Sequence, residues 1–256
     1  MTGVPGGHRA EPGSPQFPGA IAVSHLRVYD SDAIDGFAGG TPHCHTACTE
    51  AYAVIGGQGR VITVGGDGVK ETEIEAGSFV WFTPGTIHRL VNDSGTLEIV
   101  VLMANAGLPE AGDMVITFPD DVLADPEAYL EAAQLPAAVA TTSADDVAVR
   151  NRRDLAVEGL TAIIEGGPEA LARFHQRAVA LVAPSVGEWQ RLWETGPLAA
   201  AQETGGHLAE LLAGSGAHLA RSAAHALPPP PDERRYGCCG TLGVIQPASP
   251  WSDGTR

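Results

Sequence analysis

The sequence holds a single lysine, Lys70, and its 15 basic side chains face 31 acidic ones across 256 residues, a formal charge of -16. So little positive charge repels phosphate backbones and anionic headgroups, which excludes nucleic acid and membrane surfaces as expected partners. A helix-turn-helix with a basic face is missing as well. Long apolar runs are absent: no window approaches the roughly 18 consecutive apolar residues of a membrane span. The first stretch, "MTGVPGGHRAEPGSPQFPG", has no apolar centre of the kind an export signal carries, so the expected compartment is the cytoplasm. Cysteine is scarce. Cys44, Cys48, Cys238 and Cys239 include an adjacent pair and make no spaced framework, so reduced thiols are expected.

What is present is a chain with 44% apolar and 18% charged residues, enough to fold around a core, and 32 glycines and 19 prolines that mark many turns. Residues 1–18 have no period and read as a loose arm. From there to residue 118 short runs rich in β-branched and aromatic residues recur: "EAYAVI", "GRVITVG", "KETEIE", "SFVWFT", "HRLVN" and "LEIVVLM", split by "GGQG", "GGDGV", "TPGT" and "NDSGT". That rhythm predicts an all-β sandwich or barrel over 19–118. Residues 119–227 change to helical patterns. "FPDDVLADPEAYLEAAQL" predicts one or two short helices, and a segment opening at Ser143 places Val157, Leu160 and Ile164 on one stripe. Leu171, Phe174, Ala178 and Leu181 repeat the pattern. Residues 228–256, opening "PPPPDERRY", read as a disordered tail.

His43 and His45 share one face of a strand, because alternate residues point the same way, and Cys44 points opposite. Two imidazoles turned inward need partners for their nitrogens. Glu50 begins the next strand, with Tyr52 on its face, and His88 follows the turn "TPGT". If the strands are neighbours, three imidazoles and a carboxylate converge, a donor set suited to Fe(II), Mn(II), Ni(II), Cu(II) or Zn(II). Four protein ligands leave positions open for a substrate oxygen or dioxygen.

"GGTPHCHTACTEAYAVIGGQG" resembles the first cupin motif, with His43, His45 and Glu50 at its ligand positions and Gly57 at its closing glycine. "GSFVWFTPGTIHRLVN" resembles the second, with Gly77, Gly85, His88 and Asn92 matching and Thr83 where a proline is common. The resemblance implies a double-stranded β-helix, or jelly-roll, barrel followed by a helical region. It further implies a divalent transition metal, Fe(II) first among candidates, held by His43, His45, Glu50 and His88. Glu50 is then both ligand and candidate base, and Tyr52 and Asn92 are candidates to line a substrate pocket.

Cupins include dioxygenases, isomerases, decarboxylases, cyclases and binding proteins, so the fold leaves the reaction open. The first expectation is a metal-dependent oxidoreductase or dioxygenase for a small molecule. An isomerase or cyclase acting on a sugar or enolisable carbonyl is the second, and a non-catalytic binding or sensor module the third. A homodimer is expected, since each helix buries only one stripe and cupin barrels associate through sheet faces. Alternation places Arg89 outward, as a surface or interface residue, and Trp81 is read as core. Cys48 falls in a loop, Cys238 and Cys239 in the tail, and His207, His218 and His225 on a solvated helical face.

Overall fold

A computed structural model describes residues 17–135, 139–140, 147–227 and 234–245. Of the arm expected over 1–18, residues 1–16 lie outside this description, as does Ser143. A 3₁₀ turn at Pro18–Ala20 leads into β1 (Ala22–Val28), followed by β2 (His43–His45), β3 (Glu50–Gly56), β4 (Gln58–Gly65), β5 (Gly68–Glu75), β6 (Phe79–Phe82), β7 (Ile87–Val91), β8 (Glu98–Met103) and β9 (Met114–Ile116). Then come α1 (Asp120–Ala124), α2 (Pro126–Ala133), β10 (Val139–Ala140), α3 (Val147–Val182), α4 (Val186–Trp193), α5 (Ala199–Leu212), β11 (Arg234–Tyr236) and β12 (Gly240–Ile245). Two antiparallel sheets face each other, ordered β10-β11-β12-β1-β8-β3-β6 and β5-β4-β7-β2-β9. This is the jelly-roll followed by helices that the strand rhythm and the motifs imply.

Alternation within the strands builds the core between the sheets. Ile99, Val101 and Met103 of β8 and Tyr52 and Val54 of β3 point inward to meet Val61, Ile74, Leu90 and Leu97. A second core lies on the far side of the five-stranded sheet. There Cys44, Ile87, Val115 and Ile116 pack under Leu123, Tyr129, Ala156, Leu160, Ile163, Leu171 and Phe174 of α1, α2 and α3. Cys44 thus points away from the barrel interior, opposite to the flanking histidines.

Helix α3 breaks at Gly167, whose φ of 61° and ψ of −149° are followed by Pro168. Its first half lies so close to the strand after β9 that a β-carbon on Gly159 would stand 2.0 Å from the Thr117 carbonyl oxygen. Thr117 Oγ1 donates to the Ala156 carbonyl at 2.8 Å, bonding the two elements. The buried stripe runs through Val149, Ala156, Leu160 and Ile163, with Val157 beside it, whereas Ile164 is exposed. The sequence reading assigned that last place to Ile164. On a helical wheel Ile163 falls nearer the stripe's centre.

Three further expectations differ from the fold. Residues 234–245, read as tail, form β11 and β12, and β12 pairs with β1 from Val23↔Ile245 to Val28↔Gly240. The flanking prolines hid a short hairpin whose partner is some 200 residues away, beyond any local pattern; residues 228–233 and 246–256 lie outside the description. Arg89, expected at the surface, is 1% exposed. Alternation does turn it away from the barrel interior, but the loop after β1 covers that face. Its guanidinium there donates to Asp35, through Nη2 at 3.0 Å and through Nη1, and also reaches the Phe37 carbonyl at 3.4 Å. Trp81, read as core, is 65% exposed on the outer face of the edge strand β6, beside exposed Phe79. Among the described residues no helix is long and apolar enough to cross a membrane.

The fit at Gly159 gives a direct test. An alanine at an exposed helical position gains up to about 1 kcal/mol over glycine, yet Gly159→Ala is expected to destabilise the fold by about 1–3 kcal/mol through overpacking against fixed backbone. Urea unfolding measures it, and a stabilised variant would contradict the packing described.

Candidate metal centre

His43 and His88 are directly opposite residues of the paired strands β2 and β7. His45 follows two places along β2, so all three imidazoles enter the interior from the five-stranded sheet. Glu50 heads β3 and enters from the seven-stranded sheet, where it lies opposite Phe82 and Met103. The relative exposures are 1% for His88, 2% for His43, 6% for Glu50 and 8% for His45. One donor atom from each of the four can be chosen such that all lie within 4.8 Å of one another.

The outer nitrogens decide what the inner ones can do. His43 Nδ1 lies 2.9 Å from the Thr41 carbonyl oxygen and His88 Nδ1 lies 3.1 Å from that of Thr86. A carbonyl only accepts, so both Nδ1 atoms carry hydrogen and donate. In the neutral rings both Nε2 atoms are then bare lone pairs, and they face each other at 3.2 Å. Such an arrangement is repulsive unless a proton or a metal cation lies between them. Burial, and then the neighbouring His43, hold the His88 pKa below its ordinary value, whereas Cys238, against burial, raises that of His43, so a proton between the rings belongs to His43 and a metal cation is its alternative.

The third histidine is oriented differently. His45 Nδ1 lies 3.3 Å from Asp113 Oδ2, an ion-pair contact rather than an aligned hydrogen bond, and its Nε2 lies 3.4 Å from Glu50 Oε2. Burial opposes a charge on His45, but the Asp113 and Glu50 carboxylates outweigh it and bring its pKa up to about 10. Glu50 Oε2 is also 2.9 Å from His88 Nε2, yet it is fully buried with no aligned donor. Burial alone would raise the Glu50 pKa; the adjacent His88 and His45 imidazoles more than reverse this and hold it well below the carboxylate range.

The spacings suit a single ion. Two donors each about 2.1 Å from one metal, at tetrahedral or octahedral angles, stand roughly 3.0–3.4 Å apart. The measured separations are 2.9, 3.2 and 3.4 Å. An unpartnered buried carboxylate oxygen and two opposed lone pairs are what a divalent cation would satisfy together, so the donor set fits.

Asp113 is the residue that sequence reasoning missed. It is fully buried in the turn before β9, and its carboxylate accepts from the backbone N–H groups of Thr46, Ala47 and Cys48 at 3.0, 2.7 and 3.0 Å, as well as touching His45. A lone acid between two strands carries no local signal of that role. Helix α3 adds support from outside: His175 Nε2 donates to the Gly85 carbonyl at 2.8 Å, and Gly85 N–H donates to the His45 carbonyl at 2.8 Å. Gly85, at φ 84°, lets the turn before His88 make both bonds.

Of the two residues expected to line a pocket, Tyr52 lies beside the centre, its ring centroid 6.0 Å from that of His88 and 5.1 Å from that of Phe82. Asn92 is otherwise engaged. Its Nδ2 donates to the Val28 and Tyr29 carbonyls at 3.1 and 3.4 Å, and its Oδ1 accepts from Leu97 N–H at 3.1 Å, so its polar atoms clamp backbone and leave none for a ligand. Phe82 stacks on His88 at 4.4 Å, and Trp189 of α4 packs into the same apolar cluster as Tyr52 and Phe82.

Residues 34–105 match the cupin domain family. Among solved structures, a Klebsiella pneumoniae protein with a double-stranded β-helix domain is 19% identical, with a TM-score of 0.27 over 37% of this chain and 70% of that one. A predicted oxalate decarboxylase from Thermotoga maritima is 22% identical, with a TM-score of 0.25 over 33% and 64%. The Streptomyces nucleoside dehydratase Pac13 is 16% identical, with a TM-score of 0.27 over 35% and 62%. The chain thus spans less than two thirds of the length of the last two. No curated protein matches the sequence.

Replacing Asp113 tests its part in the centre. Asp113→Asn is expected to lower divalent-metal affinity about 10–100-fold, as read by competition with a chelating dye; unchanged affinity would remove the positioning role. The same residue bears on acid stability. Burial raises its pKa, but contacts with His45, Thr46 and Cys48 bring it below the ordinary carboxylate value. A folded pKa below the unfolded one, about 3.9, gives stability that is full above that pH and is lost as pH falls toward the folded pKa. Urea midpoints of the metal-free protein are therefore expected to fall less between pH 5 and pH 3 in Asp113→Asn than in the parent, roughly the window that linkage sets.

Proposed function

We propose, on the premise that residues 34–105 are a cupin domain, that His43, His45, Glu50 and His88 hold one divalent metal, Fe(II) foremost. The protein is read as a metal-dependent oxidoreductase of the dioxygenase type acting on a small oxygen-bearing molecule. The observation that carries the metal reading is the pair of His43 and His88 lone pairs opposed at 3.2 Å beside the unpartnered Glu50 oxygen. Four protein donors leave one or two positions open on a five- or six-coordinate ion. When bound, such an ion supplies an electrophilic centre for a substrate oxygen and, if redox-active, one-electron chemistry with dioxygen.

The chain's own residues do the rest. Glu50, with its pKa held low, is an anionic ligand first and only a weak base in the resting protein, because basicity falls with pKa. Tyr52 stays neutral, since burial first and then the Glu50 charge push its pKa up, so it presents a hydroxyl rather than a phenolate. Phe82, Met103, Leu108 and Trp189 keep the surroundings apolar, which strengthens electrostatics at the centre and protects reactive species from water.

An isomerase for phosphorylated sugars has less support. The cations of β1, β4, β5 and β7 are engaged elsewhere: Arg27 with Glu98, Arg60 with Asp93 and Glu71, Lys70 with Asp67, and Arg89 with Asp35. None of them is paired with a residue of the centre.

Protein purified without added metal is expected to carry about one divalent ion per chain, and His45→Ala to lose it while circular dichroism stays that of the folded barrel. Oxygen uptake across a panel of small oxygenated substrates then tests the reaction. Metal content unaffected by His45→Ala would sink the ligand assignment, and turnover without oxygen uptake would move the reading to an isomerase or cyclase.

A further inference from the structure

Gly237, Cys238 and Cys239 join β11 to β12, with Gly237 N–H donating to the carbonyl of Gly240, the first residue of β12, at 2.8 Å. Every other backbone acceptor of this turn is used. The Cys238 carbonyl takes Thr41 N–H at 3.0 Å, the Cys239 carbonyl takes Tyr29 N–H at 3.2 Å, and the Gly237 carbonyl takes the Tyr29 hydroxyl at 3.0 Å and Arg152 Nη2 at 2.7 Å. The seat admits nothing larger: a β-carbon on Gly40 would stand 2.7 Å from Cys239 Cα, and one on Gly240 would stand 2.0 Å from the Arg27 carbonyl oxygen.

In an extended strand adjacent side chains diverge. Here the turn sends both thiols to one point, with Cys238 Sγ 3.5 Å and Cys239 Sγ 4.0 Å from the Thr41 carbonyl oxygen. That oxygen is the acceptor of His43 Nδ1, and Cys239 Sγ lies 4.0 Å from the same nitrogen. Cys238 is half-buried and packs against both cores, and Cys239 is buried in the first; Cys48 is buried in that same core and Cys44 in the second.

We infer that Cys238 and Cys239 are a redox-active vicinal dithiol, oxidised by hydroperoxides to a disulfide between adjacent residues. Cys238, the less buried of the two residues, takes one oxygen from the hydroperoxide to become a sulfenic acid, and the alcohol leaves. The Cys239 sulfur then attacks the Cys238 sulfur: the S–S bond forms, the S–O bond breaks, and hydroxide departs with the Cys239 proton as water. Two thiols and one hydroperoxide give one disulfide, one alcohol and one water, the thiols losing two electrons and the peroxide gaining them.

Adjacent α-carbons are held about 3.8 Å apart by the trans peptide, below the usual disulfide range of about 4.4–6.8 Å. The bond is therefore strained and easily reduced, a reversible device rather than a staple. Closing it takes two weak S–H donors from the Thr41 carbonyl and leaves His43 Nδ1–H. Oxidation is thereby linked to a ligand of the proposed centre. That link rests on the metal reading; disulfide formation does not.

The full chain is treated with hydrogen peroxide, then assayed for free thiols after denaturation, intact mass and peptide mapping. Expected is loss of two of the four thiols with loss of two hydrogen atoms per chain, mapped to 238 and 239 and reversed by dithiothreitol. Cys238→Ser and Cys239→Ser should each abolish it, while Cys44→Ser leaves it intact. Four persisting thiols, oxygen addition without a cross-link, or pairing with Cys44, Cys48 or a second chain would overturn the inference. Metal content is measured in both states. Identical values in metal-bearing protein overturn the link to His43, and disulfide formation in protein that never binds metal overturns the metal reading alone.

Discussion

The Thr41 and Thr86 carbonyls, by accepting from the outer nitrogens of His43 and His88, set the two inner nitrogens lone pair to lone pair at 3.2 Å. The rest of the centre depends on that constraint. A neutral pair so placed is unfavourable in a dry interior, and the arrangement is sensible only with positive charge between the rings. Glu50 brings a compensating negative charge from the opposite sheet, so a cation there would tie the two sheets together as well as satisfy four side chains.

Segments distant in sequence converge to hold these outer contacts. The hairpin of β11 and β12 bonds to Thr41, the residue that orients His43. Helix α3, through His175, fixes the turn that leads into His88. The turn before β9 supplies Asp113, which ties down three successive N–H groups after His45 and sits against its ring. The helices and the C-terminal hairpin are in this sense part of the centre's outer support, and each contact meets a polar group that would otherwise be buried without a partner. Phe82, stacked on His88, and Trp189 belong to the one apolar cluster beside the centre.

Much of this was legible in the residues. Strand rhythm and glycine turns gave away the barrel, and the alternation of His43, Cys44 and His45 assigned the imidazoles to one face and the thiol to the other. Glu50 and His88 could be joined to them because antiparallel neighbours bring such positions together. Where the reading went astray, the partner was non-local. Arg89 was expected at the surface because alternation says which side of a strand a residue takes, not whether a loop covers that side. For Asn92 alternation gives only the ligand face of its strand, while its side chain bonds the backbone of Val28, Tyr29 and Leu97. Trp81 looked like core because it is large and apolar, yet β6 is an edge strand and its outer face has no cover. Cys238 and Cys239 stand close to prolines that locally mask a hairpin whose second strand, Gly240–Ile245, pairs with β1.

The sequence by itself determined what is periodic and local: strands and turns, the shared face of two histidines, the helical stripes, and the excess of negative charge. Tertiary structure alone decided which carbonyl each imidazole donates to, that Asp113 stands behind His45, and that two thiols from near the far end of the chain lie behind His43. The physical reason is that a strand's pattern specifies direction and spacing, whereas a hydrogen-bond partner is chosen by the chain segments that happen to be packed alongside.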